Sequence, residues 1–308
     1  SNFGRALLIG CAWGPAIGGI GTPAGAGPNP LAMGFLEEMA GINISFLQWT
    51  AFGFPAVLLL LLPCWYVLIT VFPSEVKTLA KGSQDLKREY RALPRMGREE
   101  KITVAVFLIT VVLWLTSPVF ERLLGIRIPV SMTVMFTACL FFLPGMSSLR
   151  WKAIETDISW SGMILVLSGI SLGMSLHTTG AAQWLANTLL GGIGSLHPFM
   201  ITLLVVAIVS LLKVVFSSNS VTATIVVPLM IVLAQSIDAS VLLLSLPAAI
   251  TSSLGLILVT SAPTNVIPYG AGYFTITDMA KAGILLTVAG IPIVAAVIYG
   301  MGLLLGVG

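Results

Sequence analysis

The chain has 308 residues, of which 57% are hydrophobic and only 9% are charged. A soluble domain usually carries about 25% charged residues, so this composition excludes a water-soluble enzyme, a disordered tail and a nucleic-acid-binding protein. Fifteen basic and twelve acidic residues give a net charge of +3, and thirteen of these twenty-seven lie between residues 75 and 101. The rest of the chain contains apolar runs long enough to cross a lipid bilayer. We therefore predict an all-α polytopic membrane protein.

Apolar and charged runs divide the chain into eight segments. In chain order these are residues 1–45, 46–72, 73–101, 102–157, 158–197, 198–236, 237–275 and 276–308. The second, fourth, fifth and eighth contain apolar stretches of the length of spanning helices, and the fifth ends in an amphipathic stretch. The third is a charged connector.

The first, sixth and seventh segments contain apolar runs that are too long for one crossing at about 1.5 Å per residue. Clusters of Gly, Pro, Ser, Thr and Asn interrupt these runs at residues 18–29, 217–220 and 260–265. Backbone groups freed at membrane depth are tolerated only where they are buried in protein or line a polar cavity. We therefore predict a broken helix in 1–45, a re-entrant hairpin at 198–236 and a second broken helix in 237–275.

The charged connector sets the predicted orientation. Residues 73–101 hold eight Lys and Arg residues, and basic loops remain on the cytoplasmic side. Counting crossings from there, the hairpin enters from outside and the C-terminus ends outside. We expect a multi-pass protein of the plasma membrane or of a bacterial inner membrane.

The two broken helices belong to an internal repeat. Pro28-Asn29 and Thr264-Asn265 each follow a Gly/Pro/Thr cluster, and a similar helix start follows 15 residues after Asn29 and 11 residues after Asn265. The first copy is predicted to run from inside to outside and the second in the opposite direction. An inverted repeat with discontinuous helices is typical of secondary transporters. The first copy has no counterpart of the 198–236 hairpin, so we expect a missing N-terminal part of the transporter ahead of this chain.

Polar residues at the interruptions are the candidate site. Asn219 and Asn265 offer amide oxygens beside freed carbonyls, which suit a small hard cation, while helix N-termini suit a carboxylate or sulfate. Thr22, Gly25 and Pro28 lie near the first break and are further candidates. The alternative for a single Asn is an interhelical hydrogen bond, worth about 0.6 kcal/mol.

Lys213 is the one charged residue predicted to lie deep in a span, four residues before the hairpin cluster. A lysine at the bilayer centre costs about 2.5–3.5 kcal/mol unless it faces a wet cavity. One interpretation places its ammonium near the anion site or in a cation position. The other is snorkelling, or pairing with backbone carbonyls.

Three motifs resemble those of the divalent anion:sodium symporter family, the dicarboxylate, citrate and sulfate carriers. They are Gly18–Pro23 followed by Gly27-Pro28-Asn29, then Ser218–Ala223, then Thr260–Asn265. The resemblance implies a homodimeric elevator-type carrier with Na⁺ as the coupling ion. It also implies a mobile transport domain formed by the first, sixth and seventh segments, and a scaffold that includes the fourth.

Site residues follow from the resemblance. It implies Na⁺ sites that involve Ser218, Asn219, Ala262, Gly21, Thr22 and Gly25. The substrate-binding residues expected from the resemblance and from the breaks are Pro28, Asn29, Lys213, Asn219, Ser220, Thr264 and Asn265. Ser220 stands where Thr is usual, Thr264 where Pro is common, and Lys213 is unexpected in the family.

The sequence therefore predicts a secondary active transporter of small divalent anions (a dicarboxylate, a tricarboxylate or sulfate), coupled to Na⁺ through an elevator mechanism. Its partners are the anion, Na⁺, the lipid bilayer and a second copy of the chain. The sequence has no HExxH motif and no intramembrane pair of Asp residues, so an enzyme is not expected. The alternatives are a sodium-independent anion exchanger that uses Lys213, an anion channel, and a transport-like sensor.

Overall fold

The part of the chain described by the computed structural model comprises residues 1–75, 88, 90–125, 129–143, 145–147, 149–156, 196–216, 218–237 and 239–306, with isolated residues between 158 and 184. Every regular element in these residues is helical. The helices are α1 (Asn2–Gly19), α2 (Pro28–Ala40), α3 (Phe46–Val71), α4 (Arg98–Leu124), α5 (Val130–Leu140), α6 (Trp151–Ile154), α7 (Pro198–Val215), α8 (Asn219–Ser236), α9 (Val241–Ser253), α10 (Pro263–Gly270) and α11 (Ile276–Leu304). The predictions for 158–197 and for most of the charged connector fall largely outside the described residues.

The first predicted break falls between two helices. Helix α1 ends at Gly19, and α2 begins only at Pro28. Proline suits this position because the first N–H groups of a helix have no intrahelical partner. Helix α2 ends at Ala40, and the following Gly41 adopts the left-handed conformation with φ 65°, which is common just after a helix.

The second predicted break also falls between two helices. Helix α9 ends at Ser253, and α10 begins at Pro263. A short 3₁₀ turn, Val259–Ser261, is the one regular piece between them. In both breaks the Pro-Asn or Pro-Thr-Asn motif lies in the first turn of the following helix, so its Asn points back across the interruption.

The 198–236 segment forms two helices, α7 and α8, separated by residues 216–218. Apolar side chains of both helices share one buried cluster with α9, formed by Ile201, Val205, Val209, Val226, Met230, Leu233, Leu244 and Ala248 among others. The polar turn of this predicted hairpin is therefore attached to a well-packed apolar base.

Five of the described helices, α3, α4, α7, α8 and α11, are long and apolar enough to span a membrane. Burial within the protein covers 67% of the apolar window of α8 but only 17% of that of α4. Helix α8 is thus enclosed by protein, and the polar groups at its start must find partners inside the molecule. The apolar faces left open on α3, α4 and α11 suit contact with lipid.

The chain divides into two compact units. Residues 1–44, 48–74 and 161–308 form the first, and residues 45–47 and 75–160 form the second. Within the first unit, α8 packs against α2 and α9, α1 packs against α10, and α7 packs against α9 and α11. All the interrupted helices therefore lie in one unit.

The second unit contains α4, α5 and α6. Helix α4 packs against α5, and Phe46 stacks on Trp114 with 5.0 Å between ring centroids. Helix α4 begins at Arg98, a few residues earlier than the apolar run indicates, because Glu100 caps it by accepting a 2.8 Å hydrogen bond from the backbone N–H of Gly97. The end of the predicted connector is therefore helical.

Candidate functional site

Two asparagines close the two breaks in the same way. The side-chain amide of Asn29 donates hydrogen bonds of 2.8 Å to the carbonyls of both Gly19 and Thr22. That of Asn265 donates to the carbonyls of Gly255, at 2.7 Å, and Leu258, at 3.1 Å. Each Asn thus binds the carbonyls ten and seven residues before it. These bonds replace the helical ones that the interruption removes.

A tryptophan covers a further carbonyl in each break. The indole N–H of Trp49 donates to the carbonyl of Ile20 at 3.0 Å, and that of Trp13 donates to the carbonyl of Leu256 at 3.0 Å. Two glycines, Gly53 in α3 and Gly283 in α11, lie very close to the same two carbonyls. A Cβ atom on either glycine would collide with the carbonyl beside it. Both breaks are therefore held by matching contacts. Each asparagine and each bound carbonyl of the first break lies 236 residues before its counterpart in the second.

Asn219, the first residue of α8, connects the hairpin turn to the second broken helix. Its side-chain amide donates a 2.9 Å hydrogen bond to the carbonyl of Ser253 at the end of α9. The hydroxyl of Ser253 in turn donates a 2.8 Å bond to Oδ1 of Asn29. The hairpin turn and both broken helices are thus joined by one chain of buried hydrogen bonds.

Lys213 of α7 ends in this network. Its Nζ donates to Oδ1 of Asn219 and, at 2.8 Å, to the carbonyl of Ser252. The lysine is only 6% exposed, so its ammonium is directed inward and does not snorkel. Its bond to the Ser252 carbonyl is the pairing with backbone that the same alternative named. Lys213 has no carboxylate partner among the described residues. The ion pair found in them, between Arg5 and Asp278, does not involve the lysine.

Backbone packing brings both breaks against the hairpin turn. A Cβ atom on Gly255 would lie 2.7 Å from Oδ1 of Asn219, and one on Gly27 would lie 3.4 Å from Oγ of Ser220. Ser220 therefore faces the start of α2. The structure thus brings together the predicted residues Lys213, Asn219, Ser220 and Asn29.

The remaining predicted residues lie at the edges of this arrangement. Pro28 is buried in the first turn of α2, whereas Ala262 and Thr264 are half-buried at the start of α10. Asn265 approaches the hairpin turn through Gly255, whose carbonyl it binds and whose Cα packs beside Asn219.

Three of the residues predicted to bind Na⁺, Gly21, Thr22 and Gly25, lie in the first break, and the carbonyl of Thr22 is already in use. That oxygen accepts hydrogen bonds from the Asn29 amide at 2.8 Å and from the backbone N–H of Gly25 at 3.1 Å. A carbonyl has two lone pairs, so Thr22 has its hydroxyl left as a ligand. Gly25 packs directly on Gly19, and Gly21 is buried beside Val57. Their predicted role as Na⁺ ligands stays a prediction.

Within the described residues, three buried side-chain oxygens of the first unit lack a hydrogen-bond donor: Oγ1 of Thr224, Oγ1 of Thr251 and Oδ1 of Asn265. Buried oxygens are seldom left unpaired in proteins. Thr251 also lines a cavity of about 20 Å³ together with Lys213 and Ser261, a volume that suits one water-sized molecule. The side chains that supply oxygens here are those of Asn, Ser and Thr, so these oxygens are neutral.

Ser252 and Ser253 are functional candidates that the sequence analysis did not identify. Their carbonyls bind Lys213 and Asn219, and the Ser253 hydroxyl binds Asn29. The available signal was the polar run Thr251-Ser252-Ser253 within an otherwise apolar helix.

The chain matches one family model, and it is similar to transporters of known name. The family model described as "Sodium:sulfate symporter transmembrane region" matches residues 1–307. The sodium-dependent dicarboxylate transporter SdcS of Staphylococcus saprophyticus is 29% identical over 308 residues, which are 97% of this chain and 59% of that protein. SdcS of Staphylococcus aureus strain USA300 is 27% identical over 316 residues, covering 99% of this chain and 60% of that protein. The chain therefore spans about three fifths of the length of these relatives.

Proposed function

The chain belongs to the sodium:sulfate symporter family, and from this premise we propose that it acts as a secondary active carrier of small divalent anions coupled to Na⁺. The observation that supports the proposal is the buried network in which Asn219 connects the hairpin turn to both broken helices. Interrupted helices that meet at one polar point are how secondary transporters build their binding sites. The relatives are transporters by name, and an enzymatic activity is not proposed.

The proposed architecture is an inverted repeat. Support comes from Asn29 and Asn265, which bind the carbonyls ten and seven residues before them, and from the indoles that cover the next carbonyl. The transport domain of the proposed elevator comprises 1–45, 198–236 and 237–275, and the scaffold includes 102–157. We further propose a homodimer in the cell membrane, with the connector in the cytoplasm and the C-terminus outside.

The proposed anion site lies where helices α2, α8 and α10 begin. Helix N-termini carry partial positive charge and free N–H groups, which favour a carboxylate or sulfate. The side chains proposed to bind the anion directly are Asn219, Ser220 and Thr264. Asn29 and Asn265 use both amide N–H groups on backbone carbonyls, so their proposed contribution is to hold the starts of α2 and α10, with Pro28 shaping the start of α2. A dicarboxylate is the first substrate to test because both relatives carry that word in their names.

The proposed Na⁺ ligands are neutral oxygens. Ser218 makes no capping hydrogen bond to α8, which leaves its hydroxyl available as a ligand of one proposed site. The resemblance adds Asn219 and the carbonyl of Ala262 to this site, but Oδ1 of Asn219 already accepts a hydrogen bond from Lys213, and the Ala262 carbonyl accepts two from backbone N–H groups. Gly21, Thr22 and Gly25 contribute to another. Unwound backbone and helix C-terminal ends are where such transporters coordinate Na⁺.

A second candidate is a sodium-independent anion exchanger. The contacts of the Lys213 ammonium favour it, because they put a fixed positive charge beside the proposed site. An exchanger would take up labelled anion only against anion inside the vesicle.

Uptake into proteoliposomes containing the full-length protein tests the proposal. Labelled succinate, citrate and sulfate are supplied with an inward gradient of Na⁺ or of choline. Saturable accumulation of at least one anion in Na⁺ and its loss in choline are expected. Equal uptake in both salts with strict counterflow would favour the exchanger, and non-saturable flux would contradict a carrier of either kind.

A further inference from the structure

The buried charge of Lys213 has a defined electrostatic environment. Its ammonium lies at the C-terminal end of α9, where it binds the carbonyl of Ser252, and beside Oδ1 of Asn219. The C-terminal end of a helix carries partial negative charge and unsatisfied carbonyls. This position therefore attracts a cation, whichever cation occupies it.

The ligands of the Lys213 ammonium are those expected for a small metal cation. A side-chain amide oxygen and a freed helix carbonyl are neutral oxygen donors, and unwound or C-terminal helix carbonyls coordinate Na⁺ in carriers with broken helices. Asn219 is also one of the residues proposed above to bind Na⁺. A metal ion and the lysine nitrogen cannot occupy the same point.

In the described part of the chain, no carboxylate compensates the positive charge of Lys213. The ion pair found there is between Arg5 and Asp278. An uncompensated buried charge is costly. A divalent anion bound at the starts of α2 and α8 would supply the counter-charge, as it would for a bound Na⁺.

From these contacts we propose that the Lys213 ammonium permanently fills one cation position of the carrier, between Asn219 and the end of α9, and replaces one Na⁺ there. The inference rests on the proposed function of anion transport. It predicts that the unaltered protein binds no Na⁺ at this position. Its transport cycle should therefore use one Na⁺ fewer than that of a variant in which the lysine is removed and the position is open.

Two substitutions separate charge from packing. Lys213→Ala removes the charge and opens space that joins the adjacent cavity, which Lys213, Thr251 and Ser261 line. Lys213→Met removes the charge but keeps most of the volume, so no ion can enter. A residue that only fills space should tolerate Met better than Ala, whereas a stand-in for Na⁺ should show the opposite order when Na⁺ is present.

The test measures anion uptake and thermal unfolding of the full-length protein and both variants, in Na⁺ and in choline. At a low, subsaturating Na⁺ concentration, both variants should lose about tenfold or more in uptake relative to the unaltered protein, the effect of removing one charged hydrogen-bonding group. Na⁺ should restore Lys213→Ala, with a Hill coefficient for Na⁺ about one higher than that of the unaltered protein, and should raise its melting temperature. Lys213→Met should gain neither.

Several results would overturn the inference. These are an unchanged Hill coefficient and unchanged melting temperature of Lys213→Ala in Na⁺, full activity of Lys213→Met, or failure of both variants to fold even in saturating Na⁺. Absence of anion uptake by the unaltered protein would instead refute the proposed function. The melting temperatures would still report on the cation position in that case.

Discussion

The hydroxyl of Ser253 and the side-chain amide oxygen of Asn29 lie 2.8 Å apart and share a buried hydrogen bond across 224 residues of sequence. This bond joins the end of α9 to the start of α2. Because Asn29 also binds Gly19 and Thr22, the bond couples the geometry of the first break to that of the hairpin turn.

Ser253→Ala should therefore destabilise the protein by about 1–3 kcal/mol, since Oδ1 of Asn29 would be buried without a donor. Ser252→Ala is the matched control. Its hydroxyl bonds only to the carbonyl of Ala248 one turn earlier, and loss of such a local bond is nearly neutral. Thermal unfolding in detergent measures both, and equal melting temperatures would contradict the coupling.

The asparagines that close the breaks should be indispensable for uptake. Asn29→Ala leaves the carbonyl of Gly19 without a donor, and Asn265→Ala does the same to that of Gly255. The second carbonyl in each break keeps one bond from a backbone N–H group. An unpaired buried group costs about 1–3 kcal/mol. We expect at least about a tenfold loss of uptake by either variant, a factor that corresponds to 1.4 kcal/mol. Asn43→Ala is the control, because the Asn43 amide donates to Glu37 in an exposed hydrogen bond. Normal uptake by both Asn29→Ala and Asn265→Ala would refute the site.

The indoles of Trp13 and Trp49 provide a test of the repeat. Trp49 in α3 donates a 3.0 Å hydrogen bond to the carbonyl of Ile20 in the first break, and Trp13 in α1 donates one of the same length to the equivalent carbonyl, that of Leu256, in the second break. Trp13→Phe and Trp49→Phe should therefore lower stability by similar amounts, about 1 kcal/mol each for the lost hydrogen bond plus a packing contribution. Trp65→Phe, at a side chain that is 64% exposed, should have little effect. A large difference between the two buried tryptophans would argue that the two breaks are not equivalent.

The interruptions and the asparagines were predictable because apolar runs made any polar cluster conspicuous. Lys213 was found for the same reason, as one charge where charges are scarce. The direction of the hydrogen bonds was not predictable. Asn29 and Asn265 use their amide N–H groups to hold backbone, a choice that depends on which carbonyls the break leaves free.

The contribution of Ser252 and Ser253 was also beyond sequence analysis. The partner of the Ser253 hydroxyl lies 224 residues away, and that of the Ser252 carbonyl lies 39 residues away. Such contacts are fixed by the packing of α9 against α2 and α7, which no local pattern encodes. A serine in an apolar helix is equally compatible with a local bond to the preceding turn, as the hydroxyl of Ser252 shows.

Gly255 gives the sharpest test of how tightly the second break fits the hairpin turn. A Cβ atom there would lie 2.7 Å from both Oδ1 of Asn219 and Cβ of Ser261. Contacts of this length require one of the neighbours to move, and the Asn219 side chain is already held by the Ser253 carbonyl and Lys213. Gly255→Ala should therefore displace Asn219, cost about 1–3 kcal/mol of stability as other overpacked sites do, and weaken anion uptake.

Gly14→Ala is the matched control for Gly255→Ala. Gly14 lies inside α1, and nothing is within 4 Å of a Cβ atom built on it. Alanine stabilises a helix interior relative to glycine by about 0.5–1 kcal/mol, so this variant should be as stable as the unaltered protein or slightly more so, with unchanged uptake. Comparing melting temperature and the KM for the anion in the two variants isolates the contact with Asn219. If Gly255→Ala retains the KM of the unaltered protein, the second break does not shape the anion site.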